Sequence, residues 1–220
     1  MTKISKTNEK EWIKQASILS KALPYMQKYN NKNITIKFGG AAMGETDLSM
    51  SFARDIVLLK QVGINPLVIH GGGPRIKKML DRLDVKSSFI DGLRITDENN
   101  MPIIEMVLSG SINKEIVMEI NREGGRAIGL SGKDALLVNA KKIVNKKSMK
   151  GLNNKLDLGL VGEPHKINSD FLKWCIESDF IPVVAPIGYG NNYQTLNINA
   201  DTLAGSVASS VFSERLIMLT

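Results

Sequence analysis

The chain has 220 residues, is 43% hydrophobic and carries a formal net charge of +7, enough sequence to close one sizeable core and begin a second, so a globular protein is expected. No window approaches the roughly 18 to 20 uninterrupted apolar residues of a membrane-spanning helix, and Met1 to Lys10 lacks the apolar core of a secretory signal, which places the protein in the cytoplasm and away from membranes. Cys175 is the single cysteine, excluding an internal disulfide, and His70 and His165 have no other soft ligand nearby; no metal site is expected, and any metal should arrive with a ligand.

The distribution of charge matters more than its sum. Six lysines (141, 142, 146, 147, 150 and 155) crowd between Lys141 and Lys155 without an acid or an aromatic residue, a pattern that suits a solvated hairpin or loop. Single-strand binders interleave bases with stacking platforms, and aromatics are only 5% of this chain; nucleic acid is therefore not an expected partner.

In chain order, Trp12 or Ile13, Ala16, Leu19 and Leu23 fall on one face between Glu9 and Tyr29 and predict a helix with a kink at Pro24. The polar stretch Asn30 to Asn33 separates this arm, residues 1–32, from a domain covering 33–220. A strand is predicted over Ile34 to Phe38, then a helix with the face Phe52, Ile56 and Leu59, then a strand over Leu67 to Ile69. Ile76, Met79, Leu80 and Leu83 mark the clearest helix, and a long one should cover Met101 to Arg122. Short strands are predicted near Ala127 to Leu130 and Leu136 to Val138, a helix over Ser169 to Glu177, a strand over Ile181 to Ala185 and a helix over Asp201 to Phe212. The apolar run Leu216 to Leu219 predicts a buried parallel strand. This alternation is the signature of an α/β protein.

The chemistry collects where strands end and glycines begin. In IKFGG, Lys37 lies inside an apolar strand and is followed by Gly39 and Gly40, which brings a point charge to a turn with open backbone N–H groups, an anion site. In VIHGGGP, His70 ends the next strand as a packing residue, Gly71 to Gly73 permit close backbone approach, and Pro74 stands where a first helical residue would be; a phosphate or carboxylate is expected at that helix N-terminus. Both turns should open on one edge of one sheet, the edge at which open α/β sheets bind ligands. HGGG also occurs in esterases, but no G-x-S-x-G elbow accompanies it, and neither G-x-G-x-x-G nor a complete P-loop is present.

In DGLRIT, Arg94 sits between apolar residues of an expected hairpin, and its guanidinium suits bidentate capture of a carboxylate. In LNINAD, Asn199 and Asp201 read as a helix cap, whereas Asn197, two residues earlier on an apolar strand, has no capping role. Cys175 beside Trp174 is expected in the core.

KFGG, HGGGP, DGLRIT, SGSINKEIV, DLGLVGE and LNINAD, in this order and spacing, resemble the amino-acid kinase family, in the branch that phosphorylates N-acetyl-L-glutamate. The resemblance covers about Ile34 to Thr220. It implies a three-layer sandwich around a mainly parallel sheet, and transfer of the ATP γ-phosphoryl, with Mg²⁺ carried by the nucleotide, to the side-chain carboxylate of N-acetyl-L-glutamate in arginine synthesis. By the same resemblance Lys37 stabilises the phosphoryl group in flight, Asp201 orients lysine, and Gly39 and Gly40 bind phosphate. Gly71, Gly72, Arg94 and Asn197 then address the acylated amino acid. The acceptor carboxylate, with a reference pKa of about 4.3, needs no general base. The N-terminal arm resembles the extra helix of the arginine-inhibited hexameric members, implying a homo-oligomer, dimer or hexamer. The strand over Leu216 to Leu219 would open the nucleotide-binding half, which is therefore expected to be largely missing, along with its second catalytic lysine. The alternatives are a non-catalytic sensor or partner subunit using the Arg94 and Asn197 pocket, and another kinase of the family.

Overall fold

The computed structural model describes residues 6–39, 43, 46–143, 146–147 and 155–219. Gly40 and most of the lysine-rich segment lie outside them. Among the described residues no helix is long and apolar enough to cross a membrane.

A long helix, α1 (Lys6–Tyr29), runs through Pro24 and is followed by Asn31, whose positive φ turns the chain toward the first strand. The domain begins with β1 (Asn33–Phe38), α2 (Thr46–Gln61), β2 (Asn65–His70) and α3 (Gly73–Arg82). A two-strand hairpin follows, β3 (Phe89–Ile90) and β4 (Leu93–Arg94). Asp91 and Gly92 at its tip both have positive φ, as a type I′ turn between two short strands demands.

The expected long helix is a single helical run made of α4 (Asn100–Glu105), a π-helical stretch (Met106–Ile112) and α5 (Asn113–Arg122). Next come β5 (Ala127–Ser131), β6 (Val138–Lys142), the paired fragments β7 (Lys146–Lys147) and β8 (Lys155–Leu156), β9 (Val161–Ile167), α6 (Ser169–Glu177), β10 (Ile181–Ala185), β11 (Ile187–Tyr189), β12 (Thr195–Ile198), α7 (Ala200–Ser210) and β13 (Arg215–Leu219). The antiparallel pairing of β7 with β8 agrees with a hairpin in the lysine-rich segment.

Five strands form an all-parallel sheet in the order β13, β1, β2, β10, β5. In β1, β2 and β10 consecutive residues are buried without alternation, so helices must cover both faces, the three-layer sandwich of an α/β domain. α2 and α5 pack together over the sheet, while α7 lies along β1 and β13 and α6 along β10. A second, small sheet closes on itself as a barrel of β11, β12, β9 and β6.

Three expectations shift. Leu136 is not in a strand but in a short 3-10 turn with positive φ, and the strand starts at Val138. Leu83 caps α3 and is exposed, so the buried face of that helix is Ile76 and Leu80. The final strand is parallel as expected, yet Leu216, Ile217 and Met218 remain about 40% exposed, because among the described residues it pairs only with β1.

Candidate active site

The carboxyl ends of β1 and β2 open into a cleft of about 280 Å³, lined by Lys37, Gly71, Gly72, Arg94, Asn197 and Asp201 among others. Lys37 faces Ile69 of β2 and Met218 of β13 in register and is 7% exposed. Its Nζ lies 3.0 Å from Asp201 Oδ1, a carboxylate that is half in solvent. Asn199 supplies the cap: its Oδ1 accepts from the N–H groups of Asp201 and Thr202 at 2.9 and 3.0 Å, which frees the Asp201 side chain for the lysine. The expected shared cap is thus resolved into two roles within the first turn of α7.

Gly39 is required by this lysine. A Cβ there would lie 2.8 Å from both Lys37 Cε and Nζ, so any side chain would displace the ammonium. Gly71 and Gly72 serve differently. The Gly71 N–H donates to the Phe38 carbonyl at 2.8 Å and is committed to joining the two strand ends. Gly72 is the N-terminal cap of α3, and the first intrahelical bond runs from Ile76 N–H to its carbonyl at 2.9 Å. The following N–H groups at Gly73 and Arg75 have no helical acceptor, leaving the positive end of α3 toward the cleft. A Cβ on Gly72 would come within 2.6 Å of Ile112 Cδ1 and 2.7 Å of Leu108 Cδ2, so the π-helical stretch packs directly on this turn.

Arg94 is buried, and one Nη–H donates to the Gly73 carbonyl at 3.0 Å while the other engages Ser87 Oγ. The guanidinium stacks over the Phe89 ring, 4.4 Å from its centroid. Burial pulls its pKa below the ordinary value and Asp81 partly offsets this; an incoming carboxylate would relieve the desolvated charge. With two of its five donors so engaged, the fork retains others for a ligand. Across the cleft, Asn197 Nδ2 donates to Thr96 Oγ1 at 3.1 Å, and that hydroxyl donates to the Arg94 carbonyl at 3.1 Å.

His70 does more than pack. Its Nδ1 bonds the Gly71 carbonyl at 2.9 Å, and Nε2 faces Asn113 Nδ2 at 3.2 Å. Full burial lowers its pKa to about 4, so the ring is neutral, with Nδ1 donating and Nε2 accepting. Asn113 also donates to the Val183 carbonyl at 2.8 Å, tying α5 to the end of β2 and the middle of β10. Asn113 and Thr96 were both missed in the sequence. The signal for Asn113 was a polar residue on the apolar stripe Leu108, Ile112, Ile116, Ile120; Thr96 offered none beyond its place in DGLRIT.

An all-parallel sheet whose strand ends carry a buried lysine, two glycine turns and a helix N-terminus defines a protein that handles anionic groups, and the chain belongs to the amino acid kinase family, whose model matches residues 32–220. It is 51% identical over 218 residues to the acetylglutamate kinase of Parvibaculum lavamentivorans, with 98% of this chain and 72% of that protein covered. It is 54% identical to the acetylglutamate kinase of Rhodospirillum rubrum, covering 95% and 68% respectively. Among solved structures it superposes on the N-acetylglutamate synthase of Neisseria gonorrhoeae with a TM-score of 0.79 at 22% identity, over 93% of this chain and 45% of that one, a likeness of fold.

Proposed function

We propose that this protein transfers the γ-phosphoryl of ATP to the side-chain carboxylate of N-acetyl-L-glutamate, giving the acyl phosphate and ADP, as a cytoplasmic step of arginine synthesis. The observation that carries the reading is the buried Lys37 ammonium, held 3.0 Å from Asp201 in the same cleft as Arg94 and Asn197. Phosphoryl transfer between two anions needs positioning and charge neutralisation rather than a base. Arg94 pairs with a substrate carboxylate, Asn197 hydrogen-bonds the acylated amino acid, and Gly72 lets the backbone approach it closely. Lys37 lies against the group in flight, Gly39 leaves room for its ammonium, and Gly40 and the N-terminus of α3 extend the phosphate site. Mg²⁺ carried by the nucleotide supplies further neutralisation of phosphate charge.

The arm α1 exposes Trp12, Ile13, Leu19 and Leu23, each at 50% or more, and an apolar helical stripe is favourable only when covered. It joins copies of this chain, and removal of residues 1–32 should lower the mass seen in sedimentation.

Trapping with hydroxylamine tests the reaction, since an acyl phosphate yields a hydroxamate. Product should require both ATP and N-acetyl-L-glutamate; turnover with free glutamate or aspartate instead would mean another kinase of the family, and binding of acetylglutamate without product would mean a sensor.

A further inference from the structure

Thr96 is fully buried and polar, and its hydroxyl links the main chain of Arg94 to the side chain of Asn197, two cleft residues far apart in the sequence. Its hydroxyl has one hydrogen. That hydrogen is committed to the Arg94 carbonyl at 3.1 Å, so the contact with the Asn197 carboxamide at 3.1 Å can only be an accepted bond, and the amide must turn its Nδ2 toward Thr96. The reverse orientation would place two acceptors, Asn197 Oδ1 and the Arg94 carbonyl, on one hydrogen.

The main chain of Thr96 is held as firmly. Its N–H donates to the Leu158 carbonyl at 3.0 Å and its carbonyl accepts from Leu160 N–H, while the Leu160 carbonyl accepts from Asn197 N–H at 2.9 Å. Gly159 between these contacts has φ +74 and no room for a Cβ, which would fall 2.0 Å from the Thr96 carbonyl oxygen. The residue thus joins the hairpin that carries Arg94 to the strand that carries Asn197.

We propose that Thr96 is a positioning residue for the acylated amino acid: it locks the carboxamide of Asn197 with its oxygen presented away from Thr96, and holds that amide in register with the Arg94 guanidinium. This rests on the functional reading above. A buried hydroxyl that orients a ligand-binding amide acts on the affinity for one substrate, whereas a hydroxyl serving only stability acts on folding and leaves both substrates alike.

The test uses Thr96→Val, which keeps the shape and removes the hydroxyl, Thr96→Ser, which restores it, and Thr96→Ala as a second deletion should the valine fold poorly. Titration of N-acetyl-L-glutamate by calorimetry and steady-state kinetics on both substrates are read together. Loss of one orienting hydrogen bond should weaken acetylglutamate about tenfold in Kd and KM, with the KM for ATP unchanged and Thr96→Ser close to wild type. In an Asn197→Ala background the Thr96→Val effect should vanish, since the hydroxyl acts through that amide. Equal effects on both substrates, no rescue by serine, or additive losses in the double variant would overturn the proposal. Wild-type binding of acetylglutamate that Thr96→Val leaves unchanged overturns the proposal alone; no binding by the wild type overturns the functional reading and takes the proposal with it.

Discussion

Replacing Lys37 by alanine should abolish most turnover while leaving the fold and acetylglutamate binding nearly intact. Lys37 is 7% exposed and its ammonium lies 3.0 Å from Asp201 Oδ1, so its charge is partly balanced from one side by a carboxylate that is itself half exposed. A unit charge about 4 Å from a phosphoryl oxygen, at an effective dielectric of about 20, is worth ~4 kcal/mol. The Asp201 carboxylate and nearby water reduce this, and a loss of ~3 kcal/mol corresponds to a fall in kcat of at least about 10²-fold. Stability should change little, because alanine leaves Asp201 free to hydrate; a shift of the thermal midpoint under about 4 °C is expected. Lys37→Arg should restore little, since the ammonium occupies the space that a side chain at position 39 would fill, and a planar guanidinium on a different stem spreads its charge over a wider fork than this compact point charge. The assay is steady-state kinetics with calorimetric binding of acetylglutamate on each variant. A kcat within about tenfold of wild type for Lys37→Ala would show that the lysine is a structural partner of Asp201 and no more.

Arg94→Ala should raise the KM for acetylglutamate at least about tenfold more than that for ATP; equal changes in a two-substrate kinetic matrix would remove its assignment to a substrate carboxylate. Gly159→Ala combines a positive φ with a backbone clash at Thr96, and urea unfolding should show a loss of ~2 to 4 kcal/mol; a loss below ~0.5 kcal/mol would mean the turn adapts. His70 has a folded pKa of about 4 against 6.5 for the free side chain, so between these values the unfolded chain binds the extra proton and stability should fall with falling pH. The slope approaches ~1.4 kcal/mol per pH unit, and His70→Gln, followed by denaturation at several pH values, should lack that share of it.

How much of this was legible in advance follows the physics of each element. β1, β2 and β10 are covered on both faces, so they read as continuous apolar runs, and a charge inside one of them, Lys37, stood out for that reason. The same holds for the glycine turns, where a local requirement for close backbone approach leaves a local mark. The barrel strands were harder. β9 is VGEPHKI, and Gly162 and Gly188 face so tight an interior that an added Cβ would meet Leu196 at 2.9 Å and Ile198 at 2.6 Å; with glycine filling inward positions, the period-2 apolar signal disappears.

Local sequence therefore determined the fold class, the glycine turns and the residue types of the site, since each expresses a constraint within a few neighbours. Only the tertiary structure decided the pairings. That Lys37 meets Asp201, that the His70 ring is buried and so neutral with Asn113 of α5 against its Nε2, and that Thr96 accepts from Asn197 depend on distant segments converging at the sheet's carboxyl edge. A lone polar residue in an apolar stretch reveals that burial must be satisfied, but its partner is chosen by packing, which no local pattern encodes.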